Sequence, residues 1–259
     1  MIIDSHTHLG ETNGKRYTAE DLVAAMDMAG VARALVIAGE DDPTDEIIRQ
    51  CEPYDQLDVI GWVDYKNLGE EQIAKNVEYL DNRKIKGLKF YTGYERYYPN
   101  DPKLFPLYQL CEEKNKPVIF HTGVLEVGYK GLLKQAHPIE IDEVATLYPD
   151  LKIVMAHFGN PWIMDAAAVV SKNSNVYVDV SGYFMEYQSI PDESVQEFVS
   201  DLKRFKSFVG DYKKCLFGTD WPIYDLKEYK EAVDQLELTE EEKELVFWRN
   251  AKQIFNLEV

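Results

Sequence analysis

Eight short runs of the chain are almost continuously apolar, and amphipathic stretches separate them. The runs are 2–8, 34–39, 57–64, 85–91, 118–122, 151–157, 176–181 and 215–220, rich in Val, Ile and Phe. Parallel strands covered by helices read this way, because neither face meets water. Between the runs lie helical patterns with clear start signals. Thr18 and Asp21 have the spacing of a capping box, and Leu22, Ala25, Met26 and Ala29 follow at helical spacing before Gly30. Asp101-Pro102 and Asn160-Pro161 each offer an N-cap with proline at the first helical position. Thr239 and Glu242 repeat the capping-box spacing ahead of a helix through Val246. Eight β and about eight α segments in strict alternation predict a (β/α)8 TIM barrel that occupies residues 1–259 as one domain.

Composition narrows the partners. The net charge is −18, which disfavours nucleic acid and anionic membranes because phosphates are repelled over most of the surface. Local charge in a pocket can still oppose that field, so an anionic small molecule stays open as substrate. The three cysteines, Cys51, Cys111 and Cys215, are far apart and fit free thiols in a reducing compartment. No apolar run reaches membrane-spanning length, and no leader precedes the His6 region, so the expectation is a cytoplasmic protein. A homo-oligomer is left open. The acidic patches at 40–42 and 240–242 read as solvated loop and helix N-terminal charges.

A barrel concentrates chemistry at the C-terminal ends of its strands. Four of the five histidines fall there: His6 and His8 on the first strand, His121 on the fifth and His157 on the sixth. Side chains two apart on a strand share a face, so Asp4, His6 and His8 are expected in one line. Two imidazoles so placed can converge on one metal ion. On the fourth strand Leu88 and Phe90 suit the helix layer, which turns Gly87, Lys89 and Tyr91 inward. On the fifth, Val118 and Phe120 go out and His121 goes in. On the sixth, Val154 and Ala156 are expected outward with His157 inward. On the seventh, Val178 and Val180 go out, leaving Asp179 and Ser181 in the barrel mouth. The eighth ends in Asp220. Imidazole with carboxylate suits zinc first, with manganese or iron as alternatives. His137, before Pro138, reads as a loop or cap residue.

The ordered set Asp-Ser-His-Thr-His at 4–8, His-Thr-Gly at 121–123, Met-Ala-His-Phe-Gly at 155–159, Tyr-Val-Asp-Val-Ser-Gly at 177–182 and Phe-Gly-Thr-Asp-Trp-Pro at 217–222 resembles the amidohydrolase superfamily. It is most similar to the amidohydrolase-related branch that includes aminocarboxymuconate-semialdehyde decarboxylase and aromatic-acid decarboxylases. The end of the chain, 250–257, resembles that branch's closing helix. The resemblance implies one divalent metal held by His6, His8, His121 and Asp220, with a bound water as nucleophile. Asp220 would shuttle the proton and His157 would polarise the substrate carbonyl.

Binuclear members carry a carboxylated lysine or a glutamate on the fourth strand. Here Lys89 leaves three readings open: a carbamate bridge, an ammonium on a substrate carboxylate, or an ion pair with Asp64 or Asp179. A nuclease branch with the same H-x-H and T-D-x-P pair carries Glu at this place, so nuclease activity is disfavoured. Tyr91, Arg96, Asp179, Ser181 and Trp221, with Lys89, are the expected substrate contacts. The stretch 122–135, with three glycines, is long enough for a lid, and 181–187 supplies further aromatics. Asp4 is expected below His6, orienting its imidazole. The expected activity is metal-dependent hydrolysis of a small-molecule C–N or C–O bond. The alternatives are non-oxidative decarboxylation of an aromatic or unsaturated acid and a non-catalytic metal-binding barrel.

Overall fold

The computed structural model of the protein describes residues 1–82, 84–184 and 189–258. All eight expected strands form: β1 (Ile3–Thr7), β2 (Arg33–Ile37), β3 (Leu57–Trp62), β4 (Gly87–Phe90), β5 (Val118–Phe120), β6 (Ile153–Met155), β7 (Val176–Asp179) and β8 (Cys215–Leu216). They pair in chain order as one parallel sheet. The Ser5 N–H donates to Phe217 O (3.0 Å) and the Asp220 N–H to His6 O (2.8 Å), which brings the last strand back against the first. One helix follows each strand: α1 (Ala19–Ala29), α2 (Thr44–Cys51), α3 (Glu70–Asp81), α4 (Phe105–Glu113), α5 (Ile141–Leu147), α6 (Ile163–Lys172), α7 (Asp192–Val209) and α8 (Leu226–Asp234). No helix is long and apolar enough to cross a membrane.

Strand parity sorts the core into two layers. Leu88, Phe90, Val118, Phe120, Val176 and Val178 pack outward against the helices. Ile3, Leu35, Ile37, Ile60, Ile119, Val154, Ala156 and Leu216 fill the barrel. Ala251, Ile254, Phe255 and Leu257 join this inner layer from the closing helix Asn250–Phe255 and the residues after it. On β6 the outcome is opposite to expectation. Val154 and Ala156 face inward, while Ile153 and Met155 meet the helices. Val154 pairs in register with Ile119, which fixes its face. A strand buried on both sides is apolar on both sides, so its sequence carries no parity signal.

The first strand departs from simple alternation. Its pairing with β2 runs Asp4↔Ala34 and then Thr7↔Val36, three steps against two. This extra residue is a β-bulge, and bulges re-aim the side chains that follow. Ile3 faces the barrel interior, so regular alternation would send His6 toward the helices; the bulge turns it inward. Asp4 holds the irregular backbone. Its Oδ1 accepts the His6 N–H (3.0 Å) and the Thr219 N–H (3.1 Å), and its Oδ2 accepts the Thr219 hydroxyl (2.6 Å). Asp4 therefore braces backbone and does not touch an imidazole ring, contrary to expectation.

The capping boxes at Thr18 and Thr239 form, and Asp101 accepts from the Lys103 N–H. Asn160 does not cap α6: its side-chain amide donates to Tyr183 O (2.7 Å) and the helix starts at Ile163. A hairpin, Gly10–Thr12 with Lys15–Tyr17, lies between β1 and α1 and was not anticipated. Its turn is Asn13-Gly14, both residues at positive φ, a dipeptide suited to tight hairpins. The hairpin covers Asp42, which is buried and bonded to Arg16, so the patch at 40–42 is not wholly solvated.

Asp4→Ala leaves two backbone N–H groups and one hydroxyl without their acceptor. It is expected to cost about 2–4 kcal/mol in urea unfolding, whereas Asp4→Asn, which keeps one acceptor oxygen, costs under ~1 kcal/mol. Equal, small effects of the two substitutions would contradict the bracing role.

Candidate metal centre and substrate cavity

The bulged end of β1 presents two imidazoles in fixed tautomers. His6 is fully buried, and its Nδ1 lies 2.9 Å from Asp179 Oδ2. A carboxylate oxygen only accepts, so Nδ1 carries the hydrogen and Nε2 keeps its lone pair. His8 Nδ1 lies 3.1 Å from the Ile37 carbonyl, with the same consequence. Both Nε2 atoms then face Asp220 Oδ1, at 3.6 Å from His6 and 3.2 Å from His8. Asp220 Oδ1 thus meets an acceptor nitrogen from each ring, and Lys89 Nζ lies 3.3 Å from the His6 one. Such a cluster is repulsive unless a cation stands among them, and neutral imidazoles with a carboxylate are a suitable donor set for a divalent ion. The residues present therefore fit the metal that the sequence implied.

Two left-handed backbone positions complete the cluster. His157 (φ 60°) and Phe158 (φ 57°) follow β6, and Asp220 (φ 69°) follows β8. Continued alternation from an inward Ala156 would send His157 outward; the left-handed turn swings it back. Its N–H donates to Asp179 Oδ1 (3.0 Å), and its Nδ1 lies 3.1 Å from Ser181 Oγ and 3.9 Å from Asp220 Oδ2. Among the described residues, the group whose donor atoms all lie within 4.8 Å of one another is His6, His157 and Asp220; the expected ligands His8 and His121 fall outside it. Gly182 permits this approach, since a Cβ there would sit 2.5 Å from His157 Nδ1. His121 lines the same cavity, with its Nε2 turned to Val124 O (3.0 Å) and its ring 4.9 Å from that of His157.

Burial sets the charge states. It pushes His6 down to about 3, with the nearby Lys89 adding to the effect. His121 and His157 are lowered by burial as well. Burial opposes ionisation of Asp220, but the surrounding imidazoles of His157, His8 and His6 outweigh it and hold the carboxyl below its usual range. Asp179 is held low in the same way, against burial, by His6 foremost. Lys89 is fully buried with Nζ 3.3 Å from His6 Nε2, and burial pushes it down to about 8 while Asp179 and Asp220 partly offset this. Asp64 instead accepts from Asn67 in its own loop.

A cavity of about 530 Å³ opens above this floor. Lys89, Tyr91, His121, His157 and Asp220 line it as expected. Other expected contacts lie elsewhere. Asp179 and Ser181 are buried beneath the wall, where Asp179 accepts from His6, His157 and Ser181. Trp221 turns outward, its ring edge-on to Tyr17, and Pro222, Ile223 and Tyr224 take its place on the wall. Arg96 is exposed, and its Nε donates to the Lys130 carbonyl (2.6 Å). Residues 185–187 of the loop after β7 fall outside the described residues. His137 accepts from the Ile139 N–H, a capping role as read from the sequence. Val124 to Val127 and Tyr129, from the stretch expected as a lid, border the mouth.

Sequence reasoning missed Trp62 and Glu95, which also line the cavity. Trp62 was discoverable, because it ends β3 in register with Lys89. Glu95 follows the turn after β4, where no periodicity assigns a direction.

Asp179→Asn removes the acceptor that fixes the His6 tautomer. It is expected to weaken zinc binding about 10–100-fold in competition with a chelator. Wild-type affinity would show that the His6–Asp179 bond does not prepare a ligand.

A family model described as Amidohydrolase matches residues 3–257. The chain is 25% identical over 130 residues to a gamma-resorcylate decarboxylase of Polaromonas sp., a match covering 42% of this chain and 36% of that protein's length. Among solved structures it is similar to an amidohydrolase from Burkholderia multivorans with bound zinc, at 16% identity and a TM-score of 0.78 over 100% of both chains. It is also similar to a 5-carboxyvanillate decarboxylase from Novosphingobium aromaticivorans complexed with manganese, at 16% identity and a TM-score of 0.75 over 99% of this chain and 96% of that one. The structural likenesses bear on the fold, and the match along nearly the whole sequence places the chain in the Amidohydrolase family.

Proposed function

We propose that the protein is a metal-dependent non-oxidative decarboxylase of a small aromatic or unsaturated carboxylic acid. The carrying observation is the floor of the cavity, where two imidazole lone pairs and a carboxylate converge beside a buried ammonium. The names of two relatives, both decarboxylases, turn the reading from hydrolysis to decarboxylation.

His6, His8 and Asp220 would hold one divalent ion, with His121 as fourth ligand. Freeing His121 Nε2 requires loss of one hydrogen bond to Val124 O, worth about 1 kcal/mol. When bound, the ion supplies Lewis-acid stabilisation of the anionic oxygens of the substrate. Lys89, as an unmodified ammonium, pairs with the substrate carboxylate from the same floor. The bond to the carboxyl carbon breaks, CO2 leaves, and the electron pair stays on the substrate carbon. A proton must reach that carbon. His157 and Asp220 border the cavity and are the groups placed to carry it. Both are shifted toward their unprotonated forms in the free protein, so the proton enters from a substrate hydroxyl or water. Ser181 and Asp179 hold His157 from behind and act as positioning residues.

Hydrolysis of a C–O or C–N bond is the second reading, favoured by the likeness to the zinc-bearing amidohydrolase. A panel of hydroxybenzoates and unsaturated acids, scored for CO2, set beside lactones, esters and amides, separates the two. Metal-loaded protein is expected to release CO2 from at least one acid, and Asp220→Asn to lower that rate by ~10²–10⁴-fold. Turnover of a lactone, ester or amide with no CO2 from any acid would replace this reading with the second.

The two remaining histidines are expected to separate by role. His121→Ala should lose most of the metal, while His157→Ala should keep it, measured by elemental analysis, and lose turnover. The reverse pattern would make His157 the ligand.

A further inference from the structure

The cavity has two chemically different halves. Its floor carries the imidazoles, Asp220 and Lys89. Its outer half is acidic and aromatic. Among the described residues Lys89 is the one cationic side chain on the wall, whereas Glu11, Glu40, Asp41, Asp42, Glu95 and Glu126 border it. Arg16 neutralises Asp42, and Lys66 neutralises Glu40. Lys66, Arg96 and Lys130 share an adjoining pocket with Glu95, but Lys66 pairs with Glu40 and Arg96 is bonded to the Lys130 carbonyl.

Glu95 carries the argument. Its Oε1 accepts the indole N–H of Trp62 (3.1 Å), and its buried Oε2 has no well-formed hydrogen bond, the Tyr65 backbone N–H reaching the carboxyl only partly. A buried carboxylate oxygen without a well-formed bond is unfavourable, and burial pushes this carboxyl up to about 7. The charge of Lys66 reaches it but is committed to Glu40. Aromatic rings surround the same space. Tyr94 meets Tyr91 at 6.5 Å and Tyr129 at 4.7 Å, both edge to face, and all three line the cavity with Trp62. Carboxylates interleaved with tyrosine and tryptophan faces attract an ammonium, through charge and through the ring quadrupoles. The same wall disfavours a second carboxylate: among the described residues Lys89 is its one cation, and the nearby Lys66 and Arg96 are committed to Glu40 and the Lys130 carbonyl.

We infer that the outer half selects a positive group: the substrate is a monocarboxylic acid bearing a protonated amine at the end remote from the carboxylate, and Glu95 sets the preference. This rests on the reading of the floor as a carboxylate site.

The test uses zinc-loaded protein and calorimetric titration with five probes. Benzoate is the reference, the 3- and 4-(aminomethyl)benzoates carry the amine, and isophthalate and terephthalate carry a second carboxylate. At least one aminomethyl isomer is expected to bind about tenfold tighter than benzoate, and both dicarboxylates more weakly than benzoate. Glu95→Gln retains an oxygen for the Trp62 N–H and is expected to remove most of the amine's advantage while changing benzoate affinity less than about twofold. Glu126→Gln, at the exposed rim, should remove a smaller part. A dicarboxylate that binds tighter than benzoate, or an amine advantage that is absent or survives both substitutions, overturns the inference and leaves the decarboxylase reading standing. Failure of benzoate itself to bind the zinc-loaded protein overturns both.

Discussion

The site depends on two hydrogen bonds that settle which nitrogen of each imidazole is free. Asp179 takes the Nδ1 hydrogen of His6, and the Ile37 carbonyl takes that of His8. Each leaves an Nε2 lone pair aimed at a carboxylate that is itself an acceptor. Among the described residues Lys89 alone offers His6 Nε2 a hydrogen, at 3.3 Å. The cluster is therefore built for a cation, and its geometry is inherited from the backbone. The β-bulge held by Asp4 turns His6 inward, and the return of β8 against β1 sets Asp220 opposite both rings. Asp4 and Asp179 thus act at one remove, the first on the strand and the second on the ring.

Backbone strain gathers at the candidate site. His157 and Asp220 occupy left-handed conformations that cost non-glycine residues energy, and both are over-determined by their surroundings. His157 is held through its N–H by Asp179, and Asp220 through its N–H by the His6 carbonyl. Gly182 gives them room. These departures from regular strands bring groups from β1, β6 and β8 to one point, which alternation alone would not do.

The barrel was legible because strand parity and length need only local apolar pattern. Lys89, His121 and Asp179 were placed on the right face for that reason, with polar residues interrupting one side of β4, β5 and β7. On β6 the apolar run has two equal faces, so the parity of Val154 was not encoded locally. His157 reached the cavity by a backbone turn that the sequence does not announce. The bulge in β1 was hidden similarly: Asp4, His6 and His8 keep their spacing in sequence, but Asp4 leaves the line. Arg96 and Trp221 belong to loops, where no period assigns a side chain's direction, and both turned away from the cavity. The resemblance to a family suggested a ligand set but not the acidic outer wall, which arises where the loops after β1, β2, β4 and β5 meet.

The central claim is that converging acceptors at the end of the barrel form a site for one metal ion. The most direct measurement is a crystal structure of zinc-loaded protein with anomalous data at the zinc edge. The account predicts one zinc within roughly 2.0–2.2 Å of His6 Nε2, His8 Nε2 and an Asp220 oxygen, with Lys89 unmodified. Zinc bound elsewhere, or two ions bridged through a carboxylated Lys89, would contradict it.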